Sequence, residues 1–165
     1  MLQMARRVLA FLRIANWVVG VAGIAFLAIA GFVINERILA ALAANDDGID
    51  PASMLTFVRL SLLFMPLAIW LSHIIFKSLL EMIDSIKSNQ VFTYLNSDRL
   101  RRIAWALLGY CVLDYLYGFL ALHFVGGLAM WGPTLTGWLA SLMMFVLASV
   151  WKQGVALREE LEGTV

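Results

Sequence analysis

Charged and apolar positions separate into long blocks along the chain. Arg6, Arg7 and Arg13 precede a stretch from Ile14 to Asn35 in which no residue is charged. As a helix that stretch is ~33 Å long, enough to cross the hydrocarbon of a bilayer. A second apolar block runs from about Met54 to Phe76, with Arg59 towards one end and Pro66 inside it. The third runs from about Ile103 to Gly126 and the fourth from about Thr134 to Trp151. Four membrane spans are predicted, at about 14–35, 54–76, 103–126 and 134–151. Ala28-Ile29-Ala30 resembles a signal-peptide cleavage site, but the apolar run continues past it, so the segment reads as a retained span. Pro66 predicts a kink, tolerated where neighbouring helices or water satisfy the freed carbonyl. Arg59 is expected to snorkel to the headgroups.

The segments between the blocks carry the polar signals. Residues 36–53 hold Asp46, Asp47 and Asp50 with Gly48 and Pro51, the marks of an exposed turn, after a short interfacial helix at Ile38–Ala44. A calcium loop needs a late glutamate that is missing there. In residues 77–102, Leu79, Met82, Ile83 and Ile86 recur at helical spacing, with Lys77, Glu81, Asp84 and Lys87 on other faces. That pattern predicts the second helix continuing into the cytoplasm, or lying on the membrane surface, as an amphipathic connection. Asn96-Ser97-Asp98 reads as a helix start, ahead of a basic cluster of Arg99, Arg101 and Arg102. Gly126-Gly127 and Gly132-Pro133 around Trp131 make a short uncharged connection. Residues 152–165 form a charged tail, expected to be a helical extension. Gly137 and Ser141 are a small-xxx-small pair suited to close helix contact.

Lysine and arginine crowd the amino terminus and the middle connection, whereas Arg37 and Arg59 are all that fall on the other side. The positive-inside rule then predicts both termini and residues 77–102 in the cytoplasm. Trp70, Trp105, Trp131 and Trp151 fall near predicted span ends, as an interfacial aromatic belt would. The fold class expected is therefore all-α: an integral membrane four-helix bundle in a single domain.

Composition agrees. Hydrophobic residues make up 62% of the 165-residue chain, where soluble domains hold about 45–50%; the mean hydropathy is +0.88. The single cysteine, Cys111, excludes an intrachain disulfide and a cysteine metal cluster. Phosphate-binding glycine loops, zinc-finger spacing, a His-Glu-x-x-His helix and paired intramembrane aspartates do not occur. His73 and His123 fall near opposite membrane faces and cannot be the two ligands of one haem. No cofactor, no metal, no catalytic role and no direct nucleic-acid binding are expected.

Two constellations could carry function. Asp114 lies ~16 Å into its helix, near mid-bilayer, where an ionised carboxylate is costly and needs a partner, water or a proton. Tyr110 and Cys111 share its face, and Arg59 is its best partner in the sequence. A structural role, as an Asp114–Arg59 pair or a hydrogen-bonded Asp114, and a role in proton or ligand sensing both remain open. Tyr110, Tyr115, Tyr117, Trp105 and Met143-Met144 are packing residues or the lining of a lipophilic pocket. The second constellation is Arg99, Arg101 and Arg102, with Lys87, which set topology and contact anionic lipid. They could also pair with the tail residues Arg158, Glu159, Glu160 and Glu162 to build a platform for a partner. Exposed ion pairs contribute little stability, so such a platform would serve recognition.

Gln90-Val91-Phe92, Asn96, the run Arg99-Leu100-Arg101-Arg102-Ile103-Ala104-Trp105, and the terminal Val150-Trp151-Lys152-Gln153-Gly154 with Leu157-Arg158-Glu159-Glu160 and Thr164-Val165 carry a resemblance. The chain resembles the bacterial four-span membrane family catalogued as domain of unknown function number twenty-nine seventy-five, over essentially its whole length. It departs mildly where relatives show Pro-Phe and Phe-Arg and this chain has Val91-Phe92 and Trp151-Lys152. The resemblance implies no activity. It implies genes neighbouring a very small helix-turn-helix regulator. The expectation is a non-enzymatic inner-membrane sensor or tether that binds such a cytoplasmic DNA-binding regulator through residues 77–102 and 152–165. The alternative is a small transporter or channel subunit, which requires a homo-oligomer or a polar cavity, or a lipophilic-ligand-binding protein centred on Asp114.

Overall fold

The structure, a computed structural model, describes residues 2–32, 50–88, 91–126 and 135–163. Among these residues the chain is all-α, with α1 at Leu2–Phe32, α2 at Pro51–Lys87, α3 at Tyr94–Val125 and α4 at Leu135–Gly163. Each helix is long and apolar enough to cross a membrane, which makes the chain a multi-pass membrane protein. The acidic turn at Asp46 and Asp47, the interfacial helix expected at Ile38–Ala44, Gln90, Trp131 and the last two residues lie outside the described residues.

The helix ends follow local chemistry. Asp50 and Pro51 start α2: Asp50 Oδ2 accepts from the Ser53 amide at 3.0 Å and the Ser53 hydroxyl at 2.8 Å. The Asp50 carbonyl takes the Met54 amide at 3.1 Å. An N-cap aspartate followed by proline at the first helical position is a preferred helix start, because proline has no amide hydrogen to leave unpaired. The span was read from Met54; this cap begins the helix at Pro51. From there α2 continues through Pro66 to Lys87, so the amphipathic stretch after Phe76 is its last three turns. At the end of α3, Gly126 takes φ 75°, the left-handed conformation in which helices commonly terminate.

Besides Leu55, Ile69, Leu100, Ile103, Leu113 and Val155, much of what is buried is small or polar, and many large apolar side chains are exposed. Ala104, Ala106, Ala121, Ala148, Ser61, Ser78, Ser85, Ser97 and Ser141 are buried, whereas Phe26, Leu63, Trp70, Phe119 and Val146 are exposed. Lipid is as apolar as leucine, so helices in a bilayer are held by close approach and polar contacts rather than by burying large side chains.

The contacts fall into two compact units, residues 16–70 with 111–133, and residues 1–15 with 71–110 and 134–165. In the first, α1 runs antiparallel against α2. Asn16 Nδ2 donates to the Ile69 carbonyl at 3.2 Å. A Cβ on Gly20 would collide with the Ile69 side chain, and one on Gly23 with the end of Met65. Tyr117 packs on Phe57 and Phe64, with ring centroids at 5.2 and 5.9 Å, and Ser61 donates to its hydroxyl at 3.4 Å.

In the second unit, α3 and α4 are joined by two reciprocal bonds. Ser97 Oγ on α3 donates to the Ala148 carbonyl at 2.8 Å, and Ser141 Oγ on α4 donates to the Ala104 carbonyl at 2.9 Å. The partners are spaced two turns apart on each helix, 97 to 104 and 141 to 148, which fixes an antiparallel register. Ser141 is 1% exposed and Ala104 0%, so Ser141 of the small-xxx-small pair makes the expected close contact. Measured intramembrane bonds of this kind contribute about 0.6 kcal/mol each. Arg6 on α1 bonds Asp84 on α2 at 2.8 Å.

Two outcomes follow from these contacts. Gly20→Leu lowers the unfolding free energy in detergent by about 1–3 kcal/mol, the cost of overpacking a close helix contact. Gly23→Ala costs less, because the flexible end of Met65 gives way. The Ser53 bonds hold the Asp50 carboxyl below its usual range. A lowered folded-state pKa stabilises above the ordinary carboxylate range, and that stabilisation is lost as pH falls through the lowered value. Hydrogen exchange, corrected for the intrinsic rate, will show Ser53 protection that fades on acidification and is missing at neutral pH in Asp50→Ala.

Candidate functional site at the α2–α3 corner and the α4 extension

The corner between α2 and α3 is organised by one amide. Asn96 is 1% exposed. Its Nδ2 donates to Ser85 Oγ on α2 at 2.9 Å and to the Val91 carbonyl of the connection at 2.7 Å. Its Oδ1 accepts from Arg99 Nη1 at 2.7 Å. Arg99 Nε in turn meets Glu81 Oε2 on α2 at 3.2 Å, in a pair whose side chains are 20% and 33% exposed. Ser88 Oγ closes the end of α2 onto the Ser85 carbonyl at 3.0 Å. Hydrogen bonds to charged groups are about twice as strong as neutral ones. The network therefore ties α2, the connection and the first turn of α3 into one piece.

Asn96-Ser97-Asp98 was expected to cap the helix. Instead α3 begins at Tyr94, and the Asn96 amide already bonds the Thr93 carbonyl at 3.1 Å. Short polar side chains can cap a helix or bond a neighbouring element. Here Asn96 and Ser97 bond α2, the connection and α4, so the cap reading fails on partners that lie far away in sequence.

The α4 extension is fastened to the same corner. Phe92 stacks on Trp151 with centroids 5.5 Å apart and planes at 25°, and the Tyr94 hydroxyl donates to Glu159 Oε2 at 2.9 Å. Val155 is buried. Stacking rather than hydrogen bonding seats Trp151, whose buried Nε1 has no partner among the described residues. A charge pairing of the basic cluster with the tail was the alternative to topology and lipid contact. The contact runs instead through Tyr94 and Phe92, while Arg99 is taken up by Glu81 and Arg158 by Glu162 of its own helix at 2.6 Å. An i,i+4 pair on one helix needs no second element to be brought into line, and this wins for Arg158.

The remaining arginines of the cluster diverge. Arg101 lines an open cleft of about 530 Å³ between α3 and α4, with Tyr94, Asp98, Phe145, Ser149 and Lys152. Arg102 lines a separate groove against α2. Glu159 and Glu160 lie on the exposed extension.

The intramembrane set is arranged differently from the expectation. Arg59 Nε donates to the Gly31 carbonyl at 3.0 Å, and its guanidinium sits 5.6 Å over the Phe32 ring. It forms no ion pair with Asp114 among the described residues. A backbone carbonyl and a ring of α1 hold the guanidinium, and a cation–π contact adds to the hydrogen bond. Asp114 is half-buried on α3, and the Tyr110 hydroxyl accepts from Ser72 at 3.3 Å. Of the aromatic and methionine residues considered for a ligand pocket, Tyr117 is packing and Trp105 lines the groove beside Arg102.

These features define a class of protein: an all-α multi-pass membrane protein whose middle connection and final helix interlock at one charged corner. The family matched is the protein family of unknown function DUF2975, over residues 52–165. The chain belongs to that family. The match contains the corner and the α4 extension whole and leaves α1 outside it, a narrower stretch than the full-length resemblance expected from sequence. No curated protein and no solved structure matches the chain.

Removing the Asn96 side chain takes one hydrogen bond each from the Ser85 hydroxyl, the Val91 carbonyl and Arg99. Asn96→Ala will lower the unfolding free energy by about 1–3 kcal/mol, the net cost of losing several buried hydrogen bonds at once. It will also open residues 91–94 to limited proteolysis. A variant as stable and as resistant as wild type would remove Asn96 from the organising role.

Proposed function

We propose that the protein is a non-enzymatic bacterial inner-membrane tether, with both termini in the cytoplasm, that holds a small soluble helix-turn-helix regulator at its membrane face. What carries the reading is the interlocked surface itself. Phe92 on Trp151 and Tyr94 on Glu159 join the middle connection and the end of α4 into one face. That face presents Arg101 and Lys152 in an open cleft beside the exposed acidic residues of α4. A preformed surface with both charge signs suits recognition, because complementary charge supplies specificity and association rate more than fold stability. The cytoplasmic placement rests on the excess of lysine and arginine in the amino-terminal segment and the middle connection.

A second reading, ligand binding or transport centred on Asp114, draws on one observation: Arg59, its expected counter-ion, is engaged by the Gly31 carbonyl of α1. Ionisable groups within spans mark functional sites by default.

Purification in mild detergent from the native bacterium, followed by mass spectrometry, separates the two readings. A stoichiometric small DNA-binding protein will co-purify with wild type and be lost in Arg101→Glu, with membrane insertion unchanged. Retention of that protein by Arg101→Glu removes the cleft from the interface. A bound lipophilic small molecule without a protein partner transfers the function to Asp114.

A further inference from the structure

The groove beside Arg102 has a polar end and an apolar end. It is an open groove of about 350 Å³ between α2 and α3. Leu71 and Ile74 line it from α2, and Trp105 and Ala106 from α3; Lys77 and Arg102 line it as well. The two helices run in opposite directions here. Moving from Leu71 to Lys77 leaves the apolar block of α2, whereas moving from Arg102 to Ala106 enters that of α3. Both cations therefore stand at the same end, and the apolar walls extend from them towards the bilayer interior.

The electrostatic balance of that end is set by the corner. Glu81 also lines the groove, but its carboxylate is committed to Arg99, which Asn96 holds in place. Lys77 and Arg102 are exposed and form no ion pair among the described residues. The groove mouth thus carries two uncompensated positive charges. Trp105 forms a fixed wall: its ring meets Phe145 edge-on, with centroids 5.2 Å apart and planes at 86°. Tryptophan at headgroup depth presents an apolar ring to acyl chains and an indole N–H to the polar layer. An apolar groove on a membrane-spanning surface is filled by lipid, and basic sites between such helices select anionic headgroups.

We propose that this groove is a binding site for one anionic glycerophospholipid. The phosphodiester sits between Lys77 and Arg102, and an acyl chain lies along Leu71, Ile74 and Ala106 against Trp105. The site does not depend on the tether function, because it uses neither the α3–α4 cleft nor the α4 extension. It gives the charged corner a defined contact with an anionic leaflet.

The test uses the purified full chain in detergent with equal amounts of phosphatidylglycerol and phosphatidylcholine, read by native mass spectrometry. Wild type will retain one phosphatidylglycerol over phosphatidylcholine by roughly thirtyfold, as two cations at an anionic headgroup imply. Lys77→Gln with Arg102→Gln will abolish that preference. Arg7→Gln with Arg13→Gln, which removes the same charge from exposed positions of α1, will keep it. Equal retention of both lipids by wild type, or equal loss in the two double variants, overturns the proposal in favour of diffuse surface charge.

If the groove variant fails to fold, brominated lipids decide the matter in folded protein. Bromine on the acyl chains of phosphatidylglycerol will quench a fluorescence component that Trp105→Phe lacks, and brominated phosphatidylcholine will not. Quenching that is the same for both lipids overturns the site.

Discussion

A helix bundle in lipid cannot be held together by hiding leucine and phenylalanine from solvent, because the surroundings are as apolar as the side chains. Close approach and hydrogen bonds must supply the cohesion. In this protein the requirement is met most clearly between α3 and α4, where Ser97 and Ser141 each reach the backbone carbonyl of the opposite helix. Alanines at the carbonyl positions let the backbones approach. That register brings Tyr94 to Glu159 and Phe92 to Trp151. The charged ends of the two helices become one surface because their apolar parts are fixed by two hydroxyls.

The corner between α2 and α3 obeys a related constraint. A buried amide has four hydrogen-bonding directions, and leaving them empty is expensive. Asn96 answers by binding α2, the connection and Arg99 at once. The consequence reaches beyond stability. Arg99 held by Asn96 neutralises Glu81, and a neutralised Glu81 leaves Lys77 and Arg102 as the net charge of the neighbouring groove. One buried amide thereby shapes both the rigidity of the corner and the field that an anionic headgroup meets. Arg101, one residue from Arg102 but facing α4, is left for a different partner. Three arginines within four residues do three different things, because successive helix positions point about 100° apart.

Much of this was legible in the sequence, and for identifiable reasons. Four apolar blocks separated by charge are a one-dimensional property, so the four helices could be read without knowing what they touch. The continuation of α2 after Phe76 was legible from helical periodicity, and the contact at Ser141 from small-residue spacing. Asp50-Pro51 was a legible helix start that the run of aspartates around it disguised as a turn.

The polar partners were another matter. Arg59 and Asp114 are the groups of their spans that carry a full charge at neutral pH, and pairing them is the natural choice when only charge and depth are known. The structure gives Arg59 the Gly31 carbonyl of α1 instead, and no local signal in either segment announces that neighbour. Asn96 reads as a cap because it stands before a helical run, and the basic cluster reads against lipid or tail, with nothing in the sequence to announce α2 as a partner. The sequence by itself determined the number of helices, their apolar character and where charge accumulates, because these depend on composition and periodicity along a single strand of text. Only the tertiary structure decided which polar group meets which, because a hydrogen bond is set by a few ångströms and an angle between helices that lie tens of residues apart.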